Sequence, residues 1–111
     1  MAIEAPTMES QSRATAIEAQ FQRFADLWRA ECPPVSSAEK LAMHPMYQRI
    51  IGLGPDVLPC LFRELERGPH HWFWALRAIT GENPVVAENR GDLNAMAGDW
   101  LTWAKLNGYG W

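Results

Sequence analysis

Residues 44–81 read HPMYQRIIGLGPDVLPCLFRELERGPHHWFWALRAITG, and this stretch decides the fold class of the chain. Proline follows His44, Gly54 and Gly68. Each pair predicts a corner between two helices, because proline favours the first turn of a helix and glycine favours the end of the preceding one. Between the corners, apolar residues recur at the spacing of an amphipathic helix. One predicted inner face consists of Val57, Leu58, Leu61, Phe62 and Leu65. We therefore expect an all-α protein of about six helices, whose short connections favour antiparallel neighbours.

The segments on either side of this stretch predict further helices. The first should begin near Ser12 and end before Pro33, since proline removes a backbone donor. Its apolar stripe consists of Ile17, Phe21, Phe24 and Trp28, with Leu27 beside it. A short helix capped by Ser36 or Ser37 follows. The last helix should run from Asp92 to about Asn107. Its apolar face consists of Leu93, Met96, Trp100, Trp103 and Ala104.

The 111 residues have the size of one domain, and a hydrophobic fraction of 48% is enough for one core. Residues 1–11 are polar and aperiodic, so we expect a disordered tail there and a single helical domain over residues 12–111. The net charge of −3 lacks the cationic surplus of a duplex binder, and direct binding to nucleic acid is not expected. No apolar run approaches the roughly 20 residues of a membrane span. The first residues do not resemble a secretory signal, and we expect a cytoplasmic protein with no membrane contact.

The residues that most often hold metals or cofactors are few and poorly spaced. Cys32 and Cys60 do not form a CxxC pair and are expected as free, packed thiols. His70 and His71 are neighbours, whereas two metal ligands on one helix usually lie three or four residues apart. The glycines of residues 52–55 lack the preceding strand and the lysine of a phosphate-binding loop. We therefore expect no metal site and no cofactor.

The stretch IIGLGPDVLPCLFRELERG resembles a HEAT-like repeat of the small bacterial type, in which a helix ends at a Leu-Gly or Ile-Gly corner and proline opens the next helix. HWFWALRAITGENP and WLTWAK resemble the terminal helices of such arrays. The chain is also similar to small bacterial proteins that carry HPxYQxIIGLG and WFWALRAITG together, a likeness that implies no activity. The resemblance covers residues 44–107 and implies a compact right-handed stack of antiparallel hairpins that holds other macromolecules. The chain has room for about two hairpins, fewer than a free-standing array needs. Residues 12–43 would then be a cap, or the fold is a compact bundle with repeat-like corners.

Six tryptophans are many for this length, and each indole N–H needs a partner when it is buried. The helix of residues 69–80 is apolar nearly all round, which is typical of the buried centre of a bundle. Trp72 and Trp74 are about 200° apart on such a helix, so one of them should reach a second surface. Trp111 follows a Gly-Tyr-Gly segment, which suggests a flexible tail that docks. We expect residues 69–80 and 100–111 to supply a partner-binding surface. Its candidate residues are Trp72, Trp74, Arg77, Trp103, Tyr109 and Trp111.

These features favour a non-enzymatic protein-interaction module that binds another protein, or a second copy of itself, through the aromatic helical surface. One alternative is a small regulatory partner, such as an antitoxin or a transcription regulator, although no helix has the basic face of a DNA-reading helix. Another is a ligand-binding protein or enzyme with a pocket between residues 69–80 and the last helix. The candidates for that pocket are His44, Tyr47, His71, Arg77 and Glu82. Their spacing does not bring them together, so no catalytic residue is predicted.

Overall fold

The computed structural model describes residues 8–32, 37–68 and 71–111, and this part of the chain consists of helices and connecting segments without any strand. Its six α-helices are, in chain order, α1 (Met8–Glu31), α2 (Ala38–Met43), α3 (Pro45–Gly52), α4 (Leu58–Arg67), α5 (Phe73–Thr80) and α6 (Leu93–Leu106). Short 3-10 helices, Gly54–Val57 and Ala87–Asn89, precede α4 and α6. The predicted all-α class is confirmed. Residues 1–7 of the expected tail lie outside the described residues.

Polar side chains cap two helices at the predicted ends. The Ser37 hydroxyl accepts a hydrogen bond from the backbone N–H of Lys40 at 3.2 Å, and it begins α2. The carboxylate of Asp92 accepts from the backbone N–H of Ala95 at 3.1 Å and begins α6. The start of α1 differs from the prediction, since the helix begins at Met8 and not near Ser12. Residues 8–11 contain neither proline nor glycine, so the helix extends into the polar N-terminal segment.

His44 forms the corner between α2 and α3. Its Nδ1 accepts a hydrogen bond from the backbone N–H of Met46 at 3.1 Å, and Pro45 is the first residue of α3. Nε2 of the same ring lies 2.6 Å from a carboxylate oxygen of Glu31 at the end of α1. Because Nδ1 accepts, a neutral ring carries its proton on Nε2 and donates it to the carboxylate. The predicted corner is therefore also tied to the end of α1.

The next corner begins with a 3-10 turn where the sequence predicted an α-helix from Pro55. Gly54 has a φ of 75°, a left-handed conformation that favours glycine. The chain then passes through the turn Gly54–Val57, and α4 begins at Leu58. Pro59 lies in the first turn of α4, where few helical hydrogen bonds are lost. The predicted inner face is confirmed, since its members are all buried: Val57, Leu58, Leu61, Phe62 and Leu65.

Four aromatic rings form the centre of the core. The centroid of the Trp72 ring lies 5.4 Å from Phe21, 5.0 Å from Trp28 and 5.6 Å from Tyr47. None of the four side chains is more than 4% exposed. The indole N–H of Trp28 donates to the carbonyl of Leu41 at 2.9 Å, which satisfies it and links α1 to α2. Because each such ring buries about 150–250 Å² of surface, the cluster supplies a large part of the hydrophobic stabilisation.

Tyr47 joins α3 to the start of α5. Its hydroxyl donates to the carbonyl of His71 at 2.6 Å and accepts from the backbone N–H of Ala75 at 3.0 Å. This N–H belongs to the first turn of α5, where amides have no partner within the helix. Tyr47 therefore caps a helix to which it does not belong. α5 begins at Phe73, and Pro69, the predicted first residue, lies outside the described residues. Burial raises the pKa of Tyr47 well above its ordinary value of 10.0, although the hydrogen bond from Ala75 acts in the opposite direction.

Alternate helices pack against each other in the described chain. α3 contacts both α1 and α5, and α4 contacts α6. The turn of residues 54–57 lies among α1, α3, α4 and α5. The N-terminal helix thus packs on the remainder of the fold. Alternate helices also lie side by side in a stack of hairpins, but the right-handed HEAT-like arrangement over residues 44–107 stays a prediction.

Two expectations about buried faces are wrong. Leu27 was predicted to widen the inner stripe of α1, yet it is 42% exposed, and Ala25 lies against the core in its place. The apolar composition of residues 69–80 predicted the buried centre of a bundle, yet Trp74 is 44% exposed and Arg77 is also exposed. The contacts of α5 with α3 and the 54–57 turn leave Trp74 and Arg77 uncovered, and both residues line open concave surfaces.

A buried carboxylate links α1 to α4. Glu64 is only 7% exposed, and it accepts a hydrogen bond from the guanidinium of Arg29 at 3.1 Å. Arg67 lies 3.7 Å from the other carboxylate oxygen. Arg29 also lies over the ring of Trp72, with its guanidinium carbon 5.9 Å from the centroid. The paired cations compensate for the cost of removing this carboxylate from water.

Candidate binding groove

The two tryptophans at the start of α5 lie on opposite sides of the helix. Trp72 is fully buried, whereas Trp74 is 44% exposed. The prediction that one of the two rings reaches a second surface is therefore confirmed for Trp74. The expectation that Trp72 contacts a partner does not agree with its burial, because the ring is enclosed by Phe21, Trp28 and Tyr47.

Trp74 forms one wall of a groove between α5, the connecting segment 81–92 and α6. The groove has a volume of about 650 Å³. Its other apolar side chains are Phe73, Val85, Leu93, Met96 and Trp100 from these three elements, with Ala38 from the start of α2. Trp100 is fully buried and forms the floor, whereas Leu93 is 48% exposed at the rim. The groove is therefore open to solvent along its length and apolar in its depth.

Two arginines line the same groove. Arg77 comes from α5 and Arg90 from the connecting segment. No described carboxylate lies within 4.0 Å of either guanidinium. The other polar residues of the groove are His71 and Asn83, and none of its lining residues is acidic. The groove is therefore locally cationic, although the whole chain has a net charge of −3.

A smaller hollow of about 380 Å³ adjoins the groove. Trp74, Arg77 and Asn83 line both concave surfaces, so these three residues form the ridge between them. The carboxylate of Glu82 belongs to the smaller hollow and not to the groove. Arg77 and Glu82 were both predicted for a pocket near the last helix, and the structure brings them together in the smaller hollow, whereas only Arg77 also lines the groove beside α6.

Asp99 holds the connecting segment against α6. One of its carboxylate oxygens accepts from the backbone N–H of Val86 at 3.1 Å and from the side-chain amide of Asn89 at 2.9 Å. At the other end, Gly81 closes α5 with a φ of 71°, which favours glycine. Asp99 and Arg90 were not predicted as site residues from the sequence. The only signal for Asp99 is an acidic residue within a mostly apolar helix.

The remaining predicted partner-binding residues lie together at the C-terminus, outside the groove. The Trp103 ring stacks on Tyr109 at 5.8 Å, and Trp111 lies 5.4 Å from Phe62. The ammonium of Lys105 lies 5.9 Å from the centre of the Trp111 ring. All three predicted residues are half-buried and contact their own chain. We call Phe62, Trp103, Tyr109 and Trp111 the C-terminal aromatic cluster.

The candidates for a catalytic pocket have structural roles. His44 caps α3 and binds Glu31, and Tyr47 is fully buried with its hydroxyl in two hydrogen bonds. Of the five candidates, only His71 and Arg77 line the groove together, while His70 lies outside the described residues. Within the described chain, no three His, Cys, Asp or Glu residues are grouped to hold a metal ion.

Both cysteines are free thiols, as predicted. Cys60 is buried in the core, and burial raises its pKa above the ordinary value of 9.0. Burial, followed by the nearby carboxylate of Glu31, also raises the pKa of Cys32. A thiol is nucleophilic as its thiolate, so a raised pKa lowers the reactivity of both groups at neutral pH.

The comparisons with known proteins leave the groove as the main indication of function. The chain matches no protein-family model, no curated protein and no solved structure. Over the residues that the structure describes, no helix has both the length and the apolar character needed to cross a membrane.

Proposed function

We infer that this chain is a non-enzymatic protein-binding module, and that its contact surface is the groove between α5, the segment 81–92 and α6. The observation that carries the proposal is the position of Trp74 and Arg77 at the exposed rim of an apolar concavity. Tryptophan and arginine are the residue types most enriched among those that dominate binding energy at protein interfaces. A partner that covers Trp74 would remove a large ring from water.

The open shape of the groove favours a protein partner over a small molecule. Pockets for small ligands bury most of the ligand surface. Here Trp74 and Leu93 are 44% and 48% exposed, so a small ligand would stay in contact with solvent along this side. A protein segment can fill the groove and also cover its rim.

The surroundings of the groove support the same proposal. Val86, which follows the groove residue Val85 in the connecting segment, is 46% exposed, so Leu93 and Trp74 are not the only exposed apolar side chains of these elements. The pocket candidates His44 and Tyr47 have structural roles, one as a helix cap and the other as a buried hydrogen-bonding group. The free thiols agree with a reducing compartment, and we place the module in the cytoplasm.

The proposal is tested by cross-linked capture from cells with the wild-type chain, Trp74→Ala and Leu27→Ala, followed by calorimetry with the purified captured protein. Leu27 is 42% exposed on α1, so it controls for loss of an exposed apolar side chain elsewhere. We expect stoichiometric binding to the wild type and to Leu27→Ala, and a loss of at least about tenfold in affinity for Trp74→Ala. Equal affinity for all three chains would reject the groove as the contact surface.

A further inference from the structure

We propose that the groove binds an acidic segment of another protein, in which one or two carboxylates lie next to an aromatic or long aliphatic side chain. This inference rests on the proposed function of the groove and specifies the chemistry of its partner. It is carried by the combination of two arginines that have no described carboxylate within 4.0 Å with an apolar floor in the same concavity.

Five arginines of the described chain have no described carboxylate within 4.0 Å, and of these Arg77 and Arg90 line one groove, whereas Arg13, Arg23 and Arg49 do not line it. Arg29, Arg63 and Arg67 each lie within 4.0 Å of a carboxylate. Arg77 and Arg90 do not, although they lie on two different elements that meet at one groove. A guanidinium can bind a carboxylate through two parallel hydrogen bonds. Two such groups on one surface are therefore complementary to carboxylates supplied from outside.

The apolar floor specifies the second part of the partner. Phe73, Met96 and Trp100 face the same concavity as the arginines, and Trp74 stands at its rim. A methionine adapts its shape to different side chains, and aromatic rings pack well against aromatic or aliphatic groups. A segment that is only acidic would leave the partly exposed surface of Phe73 and Met96 in water. A segment that also carries an apolar anchor would cover it.

The net charge of −3 does not oppose this assignment at short range. Charges farther apart than the Debye length, about 8 Å at physiological salt, are largely screened. The groups that face the partner directly are Arg77 and Arg90, and no acidic residue lines the groove. Two arginines are also too few for a groove that tracks a nucleic-acid backbone, so the observations favour a peptide over single-stranded nucleic acid.

The test selects peptides from a random library displayed on phage, with the full chain as bait and Trp74→Ala as the counter-selected background. We expect the enriched peptides to combine Asp or Glu with Trp, Phe, Leu or Met. For an enriched peptide, Arg77→Glu and Arg90→Glu should each weaken binding by at least about tenfold, the loss expected when one charge-assisted contact is removed. Arg23→Glu, on the exposed side of α1, changes the net charge equally away from the groove and should leave affinity within about twofold.

The outcomes separate this inference from the proposed function. Enriched peptides that lack acidic residues, or that bind Arg77→Glu as tightly as the wild type, would overturn the acidic assignment while leaving a peptide-binding groove. No enrichment above the Trp74→Ala background would reject both. Displacement of the peptide by a mixed-sequence single-stranded oligonucleotide would reassign the groove to nucleic acid. Self-association that Trp74→Ala abolishes would reassign it to a second copy of the chain.

Discussion

Tyr47 and Tyr109 are the two tyrosines of the chain, and their hydroxyl groups have different surroundings. The Tyr47 hydroxyl is buried between the carbonyl of His71 and the backbone N–H of Ala75. Tyr109 is half-buried in the C-terminal aromatic cluster, and its hydroxyl forms no hydrogen bond with a described residue. Removing the hydroxyl group at each position therefore measures how much the two hydrogen bonds of Tyr47 contribute to stability, because the aromatic ring is kept in both cases.

We expect Tyr47→Phe to lower the free energy of unfolding by about 2 kcal/mol, because two buried backbone groups lose their hydrogen-bond partner. Tyr109→Phe should change it by less than about 0.5 kcal/mol. Urea denaturation monitored by circular dichroism measures the stability of both variants. The slope of the free energy of unfolding against urea concentration should stay unchanged. Equal stability of the two variants would contradict a capping role for Tyr47.

Alkaline pH should destabilise the protein through the same residue. The pKa of Tyr47 is raised in the folded chain, so the folded state holds the phenolic proton more tightly than the unfolded state does. This contribution is complete below the ordinary pKa of 10.0 and decreases as the pH rises above it. We expect the stability of the wild type to fall more steeply above pH 10.0 than that of Tyr47→Phe, as urea denaturation at a series of pH values would show. Parallel curves would contradict the raised pKa.

At the scale of the helices, length makes caps and packing decisive. α2 has six residues, and α3 and α5 have eight each. Isolated helices shorter than about 12–15 residues are only marginally stable in water, because ordering the first turn costs more conformational entropy than its single hydrogen bond offsets. Their positions therefore depend on side chains such as Ser37, His44 and Tyr47, which bind free amides at helix starts.

The cap at His44 can be tested by two substitutions. His44→Ala removes the acceptor for the Met46 amide and the contact with Glu31, and we expect a loss of about 1 kcal/mol in stability. Asn is a favoured cap, so His44→Asn should retain most of that stability. Thermal unfolding of the three chains provides the comparison. If His44→Asn lost as much as His44→Ala, the bond to Glu31 and not the cap would stabilise this corner.

Helix existence was predictable from local signals, whereas the identity of the exposed residues was not. Pro45, Gly81 and Asp92 act within a turn of their own positions, so their sequence context was enough to locate corners and ends. The exposure of Leu27 and Trp74 depends on which helices pack beside α1 and α5. That information comes from long-range contacts, which helical spacing does not contain.

At the scale of the whole molecule, the predicted aromatic surface separates into two parts. Trp74 and Arg77 lie at the groove, and Trp103, Tyr109 and Trp111 form the C-terminal aromatic cluster with Phe62. Trp100 contacts both parts, since it forms the floor of the groove and its ring lies 5.5 Å from Trp103. Of the groove residues, Trp74 and Arg77 were predicted from the sequence as partner-binding residues. The sequence did not predict Arg90, because a residue in a connecting segment has no helical period to place it.

The most direct test of the binding groove is to follow the tryptophan indole N–H signals by two-dimensional NMR while a captured partner or enriched peptide is added. The chain has six such signals, and Trp74→Phe identifies the one at the groove rim. We expect the Trp74 signal to shift with saturation, together with the backbone signals of Arg77 and Arg90, while Trp72 and Trp111 move little. Shifts confined to the C-terminal aromatic cluster, with Trp74 unchanged, would contradict the assignment of the groove as the binding surface.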